Sequence, residues 1–173
     1  PVLAETLEGQ DNVHIVQGDI LEIDPVEAIR HMVGLPDDAA LHYKVVANLP
    51  YYITSAALRH LLEARVRCQQ MTVMVQNEVA ERIVASPGDL SLLAISVQIY
   101  GDPEIAFRVP PGAFYPRPKV SSAVVRVKML SEPRVSDQET ERFFKVVRAG
   151  FAQKRKQIHN SLTHNLPVSH EEV

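Results

Sequence analysis

The four residues Asn48-Leu49-Pro50-Tyr51 form the most chemically specific pattern in the sequence. The Asn48 amide oxygen and a backbone carbonyl held rigidly beside Pro50 are two hydrogen-bond acceptors. An aromatic amine needs two such acceptors for its hydrogens before it can attack an electrophilic methyl group. Proline restricts its own backbone and that of Leu49, which would preorganise the acceptors. Tyr51 adds a face on which a flipped-out base can stack. The segment therefore predicts a pocket for amine methylation on a flat base.

The bare tetrapeptide is equally consistent with a simple turn that buries a tyrosine, so its context decides between the two interpretations. The tetrapeptide follows an apolar run, Lys44–Ala47, and lies upstream of a proline-rich loop, Pro110–Pro118. Asp19 follows a second β-branched run, Val13–Val16, although by itself it could be a turn or helix-cap aspartate. Polar residues at the ends of two strands favour a ligand site over a turn.

The pattern of apolar residues predicts strands that alternate with helices. Strands are predicted at Val13–Val16, Lys44–Ala47, Met71–Val75, Ile105–Val109 and Ala123–Met129. Helices are predicted from Pro25, after a Thr54-Ser55 cap, at Glu78–Ala85, at Leu90–Tyr100, and from Gln138 with an apolar stripe of Phe143, Phe144, Val147 and Phe151. This alternation indicates an α/β sheet whose ligand lies beyond the carboxyl ends of its strands.

The overall composition is that of a globular domain. The chain has 173 residues, 46% of them hydrophobic and 23% charged, which suffices for one domain or for one domain and part of another. No apolar run is long enough to cross a bilayer, and no signal-peptide pattern is present at the start. One cysteine, Cys68, permits neither an internal disulfide nor a cysteine-rich metal site. We therefore expect a cytoplasmic protein without a metal ion or a membrane association.

The charge is unevenly distributed along the chain. Residues 1–107 hold 6 Lys and Arg against 15 Asp and Glu, whereas residues 108–160 hold 12 against 4. A basic second half suggests a polyanionic partner, although a solvated cationic surface would account for the charge equally well.

Several longer stretches of the sequence resemble the rRNA adenine N6,N6-dimethyltransferases, most closely the bacterial small-subunit members. The stretches with this similarity are Gly18–Leu21, Val46–Ser55, Val75–Arg82, Val109–Val120, Ser122–Val125 and Phe151–Lys156. They cover most of the chain in the order and at the spacing of that family.

This resemblance implies a role for each matching residue. Asp19, Ile20 and Asn48 would contact S-adenosylmethionine, and Asn48 would lie between that cofactor and the target amine. Asn48, Leu49, Pro50 and Tyr51 would form the catalytic segment. Tyr51 and Phe114 would stack on the two faces of the target adenine, with a loop aromatic that fills the core as the less favoured interpretation of Phe114. Gln76 and Glu78 match the family but are interpreted as structural.

The resemblance also implies an RNA-binding surface. Phosphate contacts would position the RNA without recognising its bases. The residues expected to make these contacts are Arg117, Lys119, Lys145, Arg148, Lys154, Arg155 and Lys156. The expected partner is small-subunit rRNA in a pre-ribosomal 30S particle, with no obligate protein partner.

The fold implied by the resemblance is the Rossmann-like sheet of class I S-adenosylmethionine-dependent methyltransferases. Residues 1–131 would be the C-terminal portion of that domain, and residues 132–173 the start of a small helical RNA-binding domain. The first strands, the glycine-rich cofactor loop and the acidic residue that binds the cofactor ribose are expected upstream of Pro1. We therefore expect an open sheet edge, only part of the cofactor site, and little activity from residues 1–173 alone.

Three functions remain open from the sequence. The first is dimethylation of adenines in small-subunit rRNA during ribosome biogenesis, which the proline-rich loop and Phe151–Lys156 favour. The second is a large-subunit rRNA methylase of the antibiotic-resistance type. The third is a non-catalytic RNA-binding fragment, because part of the cofactor site is expected elsewhere.

Overall fold

The computed structural model describes residues 2–153 and 157–167. Its helices are α1 (Val2–Thr6), α2 (Pro25–Val33), α3 (Thr54–Leu62), α4 (Asn77–Ile83), α5 (Leu92–Gln98), α6 (Asp137–Phe151) and α7 (Ile158–Asn165). Its strands are β1 (Lys44–Asn48), β2 (Gln70–Gln76), β3 (Gly101–Val109) and β4 (Ser122–Met129). Two 3-10 turns, Tyr51–Ile53 and Pro111–Ala113, lie before α3 and within the proline-rich loop. The prediction of an α/β fold is thus confirmed, with helices α3 to α5 between strands.

The four strands form one mixed sheet in the order β1-β2-β4-β3. β1 and β2 are parallel, with Asn48 opposite Met74, whereas β4 is antiparallel to both of its neighbours. Gln76 at the end of β2 pairs with Ser122 at the start of β4. The carboxyl ends of β1 and β2 and the start of β4 therefore lie along the same edge of the sheet.

The centre of the core lies on β2 and β4. Met71, Val73 and Val75 of β2 are fully buried, and so are Val125 and Val127 of β4. The intervening residues of β2 are partly buried, so both faces of this central strand are covered. Removing one of these large side chains would leave a cavity, as Met71→Ala would at a cost of about 2–5 kcal/mol.

The strand predicted at Val13–Val16 is not formed. This run is an extended coil in which Val13, Ile15 and Val16 are 39%, 47% and 47% exposed. β-branched side chains favour an extended backbone, but a strand also needs a neighbour for its hydrogen bonds, and none of the described strands pairs with this run. Asp19 consequently follows a coil, and its expected place at a strand end is wrong.

β1 forms an open edge of the sheet, as expected from the sequence. Its only partner among the described strands is β2, and Val46 in the middle of β1 is 83% exposed. An apolar side chain with that exposure on an edge strand has no covering layer.

The beginnings of two helices differ in how well the sequence predicted them. α2 starts at Pro25 as predicted, and the Asp24 carboxylate accepts hydrogen bonds from the backbone N–H groups of Val26 (2.7 Å) and Glu27 (3.2 Å). The predicted Thr54-Ser55 cap of α3 is wrong. The Thr54 hydroxyl donates backwards to the Pro50 carbonyl at 3.3 Å, because a 3-10 turn leads directly into this helix.

α6 packs against the same core as the sheet. Phe144 is buried in that core, and Phe143 and Val147 pack against it, whereas Phe151 at the end of the predicted stripe is 45% exposed. α7 is tied back to α6, because the buried Ser161 hydroxyl donates to the Ala149 carbonyl at 2.7 Å. A division of the chain into residues 1–131 and 132–173 stays a prediction.

Candidate functional site

Asn48 is the last residue of β1 and lies at the sheet edge where β1 and β2 end. Its side chain is exposed and has no hydrogen-bond partner within residues 2–153 and 157–167. The next residue, Leu49, is buried in the core and fixes the backbone on which the Asn48 amide is carried. An amide on a fixed strand end with no internal partner is available to bind a ligand.

The two carbonyl groups beside Asn48 differ in their availability. The Pro50 carbonyl already accepts hydrogen bonds from the Ile53 N–H at 3.2 Å and from the Thr54 hydroxyl at 3.3 Å. The Leu49 carbonyl accepts none from the described residues. The second acceptor predicted beside Pro50 is therefore best supplied by Leu49, whose peptide bond to Pro50 restrains its direction.

Tyr51 is held by Ser122, which lies in a stretch similar to the family but to which the sequence assigned no role. Its hydroxyl lies 2.6 Å from the hydroxyl of Ser122, the fully buried first residue of β4. The bond joins residues 71 positions apart and fixes the polar end of the ring at the sheet edge. A tyrosine anchored in this way presents its ring in one orientation. A serine after a proline-rich loop is common, so only the tertiary fold shows this pair.

Phe114 lies in the proline-rich loop, directly after the 3-10 turn Pro111–Ala113. It is partly buried but is not among the side chains that pack against the main core, and its ring makes no aromatic contact with Tyr51. The loop contains a cis peptide bond between Tyr115 and Pro116 and rejoins the sheet at Ser122, the partner of Tyr51. Its position as a second face for a base stays a prediction.

The Asp19 side chain forms a turn with one of its carboxylate oxygens and leaves the other oxygen available for a ligand. One carboxylate oxygen accepts the Leu21 N–H at 2.9 Å, which corresponds to the turn role considered from the sequence. The other carboxylate oxygen and the Ile20 N–H have no partner in the part of the chain that the structure describes. The turn is held against α3 by the His60 ring, whose Nε2 lies 2.8 Å from the Ile23 carbonyl.

The predicted basic residues are spread over two surfaces. Arg117 is exposed on the proline-rich loop, and Lys119 lines a cleft of about 380 Å³ with Gln76, Glu78 and four other residues. Lys145 and Arg148 are exposed on α6. Lys154, Arg155 and Lys156 lie outside the described residues.

Polar side chains near this sheet edge form a small network. Arg108 of β3 donates to the Asn77 side chain at 3.0 Å and lies 3.4 Å from the Glu81 carboxylate. Asn77 in turn donates to Glu81 at 2.9 Å. These bonds tie the start of α4 to β3, and the structural role expected for the neighbouring Gln76 and Glu78 stays a prediction.

The side chains whose pKa is raised, Tyr43, Cys68 and Tyr100, lie away from this site. Burial raises the pKa of Tyr43 to about 12, with smaller contributions from Cys68 and Asp24. Tyr43 directly precedes β1, at the opposite end of that strand from Asn48, and its hydroxyl donates to the Val66 carbonyl at 2.8 Å. Burial also raises the pKa of the Cys68 thiol and, as the largest of several causes, that of Tyr100. These shifts reflect packing and not catalysis.

No helix in the described ranges is long and apolar enough to span a membrane.

Comparison with protein families and curated proteins gives consistent matches. The family described as ribosomal RNA adenine dimethylase matches residues 1–173. Proteins named ribosomal RNA small subunit methyltransferase A are similar over nearly the whole chain. The one from Moorella thermoacetica is 44% identical over 162 residues, and the one from Geobacillus thermodenitrificans is 43% identical over 173 residues. These alignments cover 92% and 99% of this chain but 56% and 58% of the relatives, so the chain spans a little over half their length.

Solved structures show the same fold. The 23S rRNA methyltransferase ErmE superposes with a TM-score of 0.71 at 28% identity, covering 96% of this chain and 62% of ErmE. A dimethyladenosine transferase from Plasmodium falciparum superposes with a TM-score of 0.69 at 24% identity, covering 92% of this chain and 53% of that protein. The Rossmann-like methyltransferase fold expected from the sequence is confirmed.

Proposed function

The chain belongs to the ribosomal RNA adenine dimethylase family, and we propose that the complete gene product dimethylates the N6 amine of adenines in small-subunit rRNA. The observation that carries the proposal is the pair of acceptors at the end of β1, the Asn48 amide oxygen and the Leu49 carbonyl, which have no partner among the described residues. The names of the curated relatives support the small-subunit substrate.

The two acceptors address the main difficulty of the reaction. The lone pair of an adenine amine is delocalised into the ring, so the nitrogen must become more tetrahedral before it attacks. In the first transfer, hydrogen bonds from the two N–H groups of the amine to Asn48 and Leu49 favour that geometry, because both acceptors are already fixed when the base arrives. In the second transfer the methylated amine has one N–H left and donates to one of the two acceptors. No general base is required before the attack, since the proton can leave to water afterwards.

Tyr51 would position the base. A flipped-out adenine stacked on this ring gains about 1–3 kcal/mol. The bond from its hydroxyl to Ser122 holds the ring so that the amine meets Asn48 and Leu49 and not solvent. Phe114, on the loop that ends at Ser122, would close over the other face of the base.

S-adenosylmethionine would supply the electrophilic methyl group. The free carboxylate oxygen of Asp19 is an acceptor, and the adjacent Ile20 N–H is a donor. This acceptor-donor pair matches the amine and ring nitrogen on one edge of the cofactor's adenine. The chemistry of these residues therefore fits the adenine end of the cofactor, and Asn48 would lie towards the methyl group.

The RNA would be held through its phosphates. Arg117 and Lys119 lie on the loop that bears Phe114, and Lys145 and Arg148 lie on α6. Lys154, Arg155 and Lys156, which follow α6 in the sequence, are expected to add further phosphate contacts. Contacts of this kind orient an RNA stem by its shape and leave base selection to the pocket. The partner would be the pre-ribosomal small subunit in the cytoplasm.

Two alternatives each have an observation in their favour. The likeness to 23S rRNA methyltransferase ErmE favours a large-subunit substrate for the same chemistry. The chain spans 56% of its Moorella thermoacetica relative, which favours RNA binding without transfer for the 173 residues alone.

Mass spectrometry of rRNA distinguishes these functions. Unmodified small and large ribosomal subunits are incubated separately with S-adenosylmethionine and the complete gene product. Dimethyladenosine in small-subunit rRNA is the expected result. Dimethyladenosine confined to large-subunit rRNA would establish the first alternative. The same incubation with the 173-residue chain alone tests the second alternative, which predicts bound but unmodified RNA.

A further inference from the structure

A second cleft lies between four helices on the side of the molecule where α3 begins. Its volume is about 490 Å³, and it is lined by residues of α3, α4, α5 and α6. Three of these residues are arginines, Arg59, Arg82 and Arg148, which come from three different helices. No motif of the sequence brings them together, because they are separated by 23 and 66 positions.

The positive charge of this cleft is not neutralised by its own carboxylate. Among the described residues that line it, Glu63 is the one acid, and Glu63 lies 4.0 Å from Arg59 in a mostly exposed pair. Arg82 and Arg148 have no carboxylate partner within the described ranges. The cleft therefore carries two uncompensated guanidinium groups, which attract an anion.

Four other arginines each form an ion pair with a carboxylate. Their carboxylate partners are Asp137 for Arg67, Glu81 for Arg108, Glu104 for Arg126 and Asp102 for Arg134. Arg65, Arg117 and Arg142 are exposed and have no described carboxylate partner either, so what distinguishes Arg82 and Arg148 is that two such arginines line one cleft.

The walls of the cleft favour a nucleotide over a free inorganic anion. Leu92 and Leu93 of α5 and Phe144 of α6 provide an apolar wall, and the Arg148 guanidinium lies 6.0 Å from the centre of the Phe144 ring. Next to apolar surface a guanidinium is less well screened by water, so its attraction for a phosphate is stronger. A ribose or base can cover the apolar wall while the phosphate contacts the arginines.

Part of the cleft lies close in the chain to the candidate base pocket, because Ser55 and Ala56 follow Tyr51 by four and five residues. Ser55 and Ala56 line the cleft, and they belong to the first turn of α3, which follows Tyr51 through one 3-10 turn. A strand of RNA that places its adenine on Tyr51 can therefore pass along the start of α3 into the cleft.

We propose that this cleft binds a phosphodiester segment of the RNA close to the target adenine, with Arg82 and Arg148 as the phosphate ligands. The proposal rests on the proposed function, since it takes the ligand to be the same RNA. It adds a backbone contact on the helical side of the base pocket, separate from the loop that carries Arg117 and Lys119.

The test compares Arg82→Ala/Arg148→Ala with the matched control Arg65→Ala/Arg142→Ala. Each variant removes two exposed arginines that pair with no described carboxylate, but the control residues do not line the cleft. The affinity of the complete gene product for unmodified small subunits is measured at several salt concentrations, and thermal unfolding verifies that each variant is folded.

We expect the cleft variant to bind about tenfold more weakly or worse, with a salt dependence shallower by about 1 for each phosphate that the variant no longer binds. The control should stay within about threefold of the parent protein. Equal effects in the two variants would overturn the proposal.

A variant that is expected to strengthen RNA binding keeps the proposal testable if the double variant unfolds. Glu63→Gln removes the carboxylate that lines the cleft and should strengthen RNA binding severalfold. Weaker or unchanged binding in Glu63→Gln would contradict a phosphate in this cleft.

Methylation of the bound RNA is measured in parallel, so that the two proposals can fail separately. Absence of dimethyladenosine with an intact effect of the arginines would count against the proposed function and not against the cleft. Normal methylation with no effect of the arginines would count only against the cleft.

Discussion

The two sides of the candidate site are built in different ways. On the base side, Asn48 ends a strand of the sheet, Leu49 is buried, and Tyr51 is bonded to Ser122 from a distant part of the sequence. On the cofactor side, Asp19 and Ile20 lie in a turn after an exposed coil, and the bonds that shape this turn are local. The residues proposed to accept the amine hydrogens are therefore held by long-range contacts, whereas those proposed to bind the cofactor depend on a short segment attached to α3 through His60.

This contrast predicts how substitutions on the two sides of the candidate site should differ in their effects. A preorganised acceptor acts without rearrangement when the substrate arrives, and that is where much of the rate of an enzyme comes from. A turn held by local bonds can bind one edge of a cofactor but does not enclose it. We therefore expect substitutions on the base side to affect the transfer step and those on the cofactor side to affect binding.

Asn48→Ala should have the strongest effect on activity. Loss of this acceptor should lower kcat at least about 100-fold, because it bonds the amine most strongly in the transition state. RNA affinity should stay within about twofold, since the phosphate contacts are unchanged. The control is Asn77→Ala, an asparagine that begins α4 directly after β2 and bonds Glu81 and Arg108 instead. Transfer by Asn48→Ala at the parent rate would remove Asn48 from the chemistry.

A smaller effect is expected from the pair that anchors the base-stacking ring. Tyr51→Phe and Ser122→Ala each remove the same hydrogen bond, so each should lower kcat by about 3- to 10-fold. The double variant should be no slower than the slower single variant, because the two residues share one interaction. Ser121→Ala, next to the pair, serves as the control. Additive losses in single-turnover assays would show that the two residues act independently.

Asp19→Asn tests the side of the candidate site that is proposed to bind the cofactor. Asparagine can still accept the Leu21 N–H, so the turn is kept, but the free oxygen is replaced by an N–H₂ donor. We expect the KM for S-adenosylmethionine to rise about tenfold with kcat changed by less than about threefold. A fall in kcat with KM unchanged would mean that Asp19 acts on the transfer step and that the two sides do not differ as described.

The weakest effect should come from the exposed coil before Asp19. In the 173-residue chain, Ile15→Ser should change the free energy of unfolding by less than about 0.5 kcal/mol, because Ile15 lies outside the packed core. Met71→Ala in β2 should cost about 2–5 kcal/mol in the same chain. Denaturant titration of both variants gives the comparison. A loss at Ile15 as large as that at Met71 would show that the coil is part of the core.

Local sequence patterns predicted two kinds of element correctly. One kind is stabilised by residues close in sequence, and the other is a strand buried on both of its faces. β2 is such a strand, and the start of α2 at Pro25 is set by Asp24 beside it. The same patterns failed at Val13–Val16, where propensity favours a strand but no described strand pairs with it. A local pattern states what a segment prefers and does not state whether a partner is present.

The residues of the candidate site fall into the same two groups, those that the sequence alone indicates and those that only the fold brings together. Asn48, Leu49, Pro50 and Tyr51 are adjacent in sequence, and a tetrapeptide can be recognised without a fold. The bond between Tyr51 and Ser122 and the meeting of Arg82 with Arg148 depend on the order of the strands and the packing of the helices. The choice of the Leu49 carbonyl over that of Pro50 depended on which one the 3-10 turn already uses.

Asn48 and Leu49 are proposed to accept the two hydrogens of the target amine, and the rest of the mechanism depends on that pair. A structure of the complete gene product bound to its rRNA substrate, with the target adenine in the pocket, would show whether they do. We expect the adenine N6 atom to lie about 2.7–3.2 Å from both the Asn48 amide oxygen and the Leu49 carbonyl oxygen, with the base stacked on Tyr51. An adenine whose N6 atom contacts neither oxygen, or one whose ring lies away from Tyr51, would contradict this mechanism.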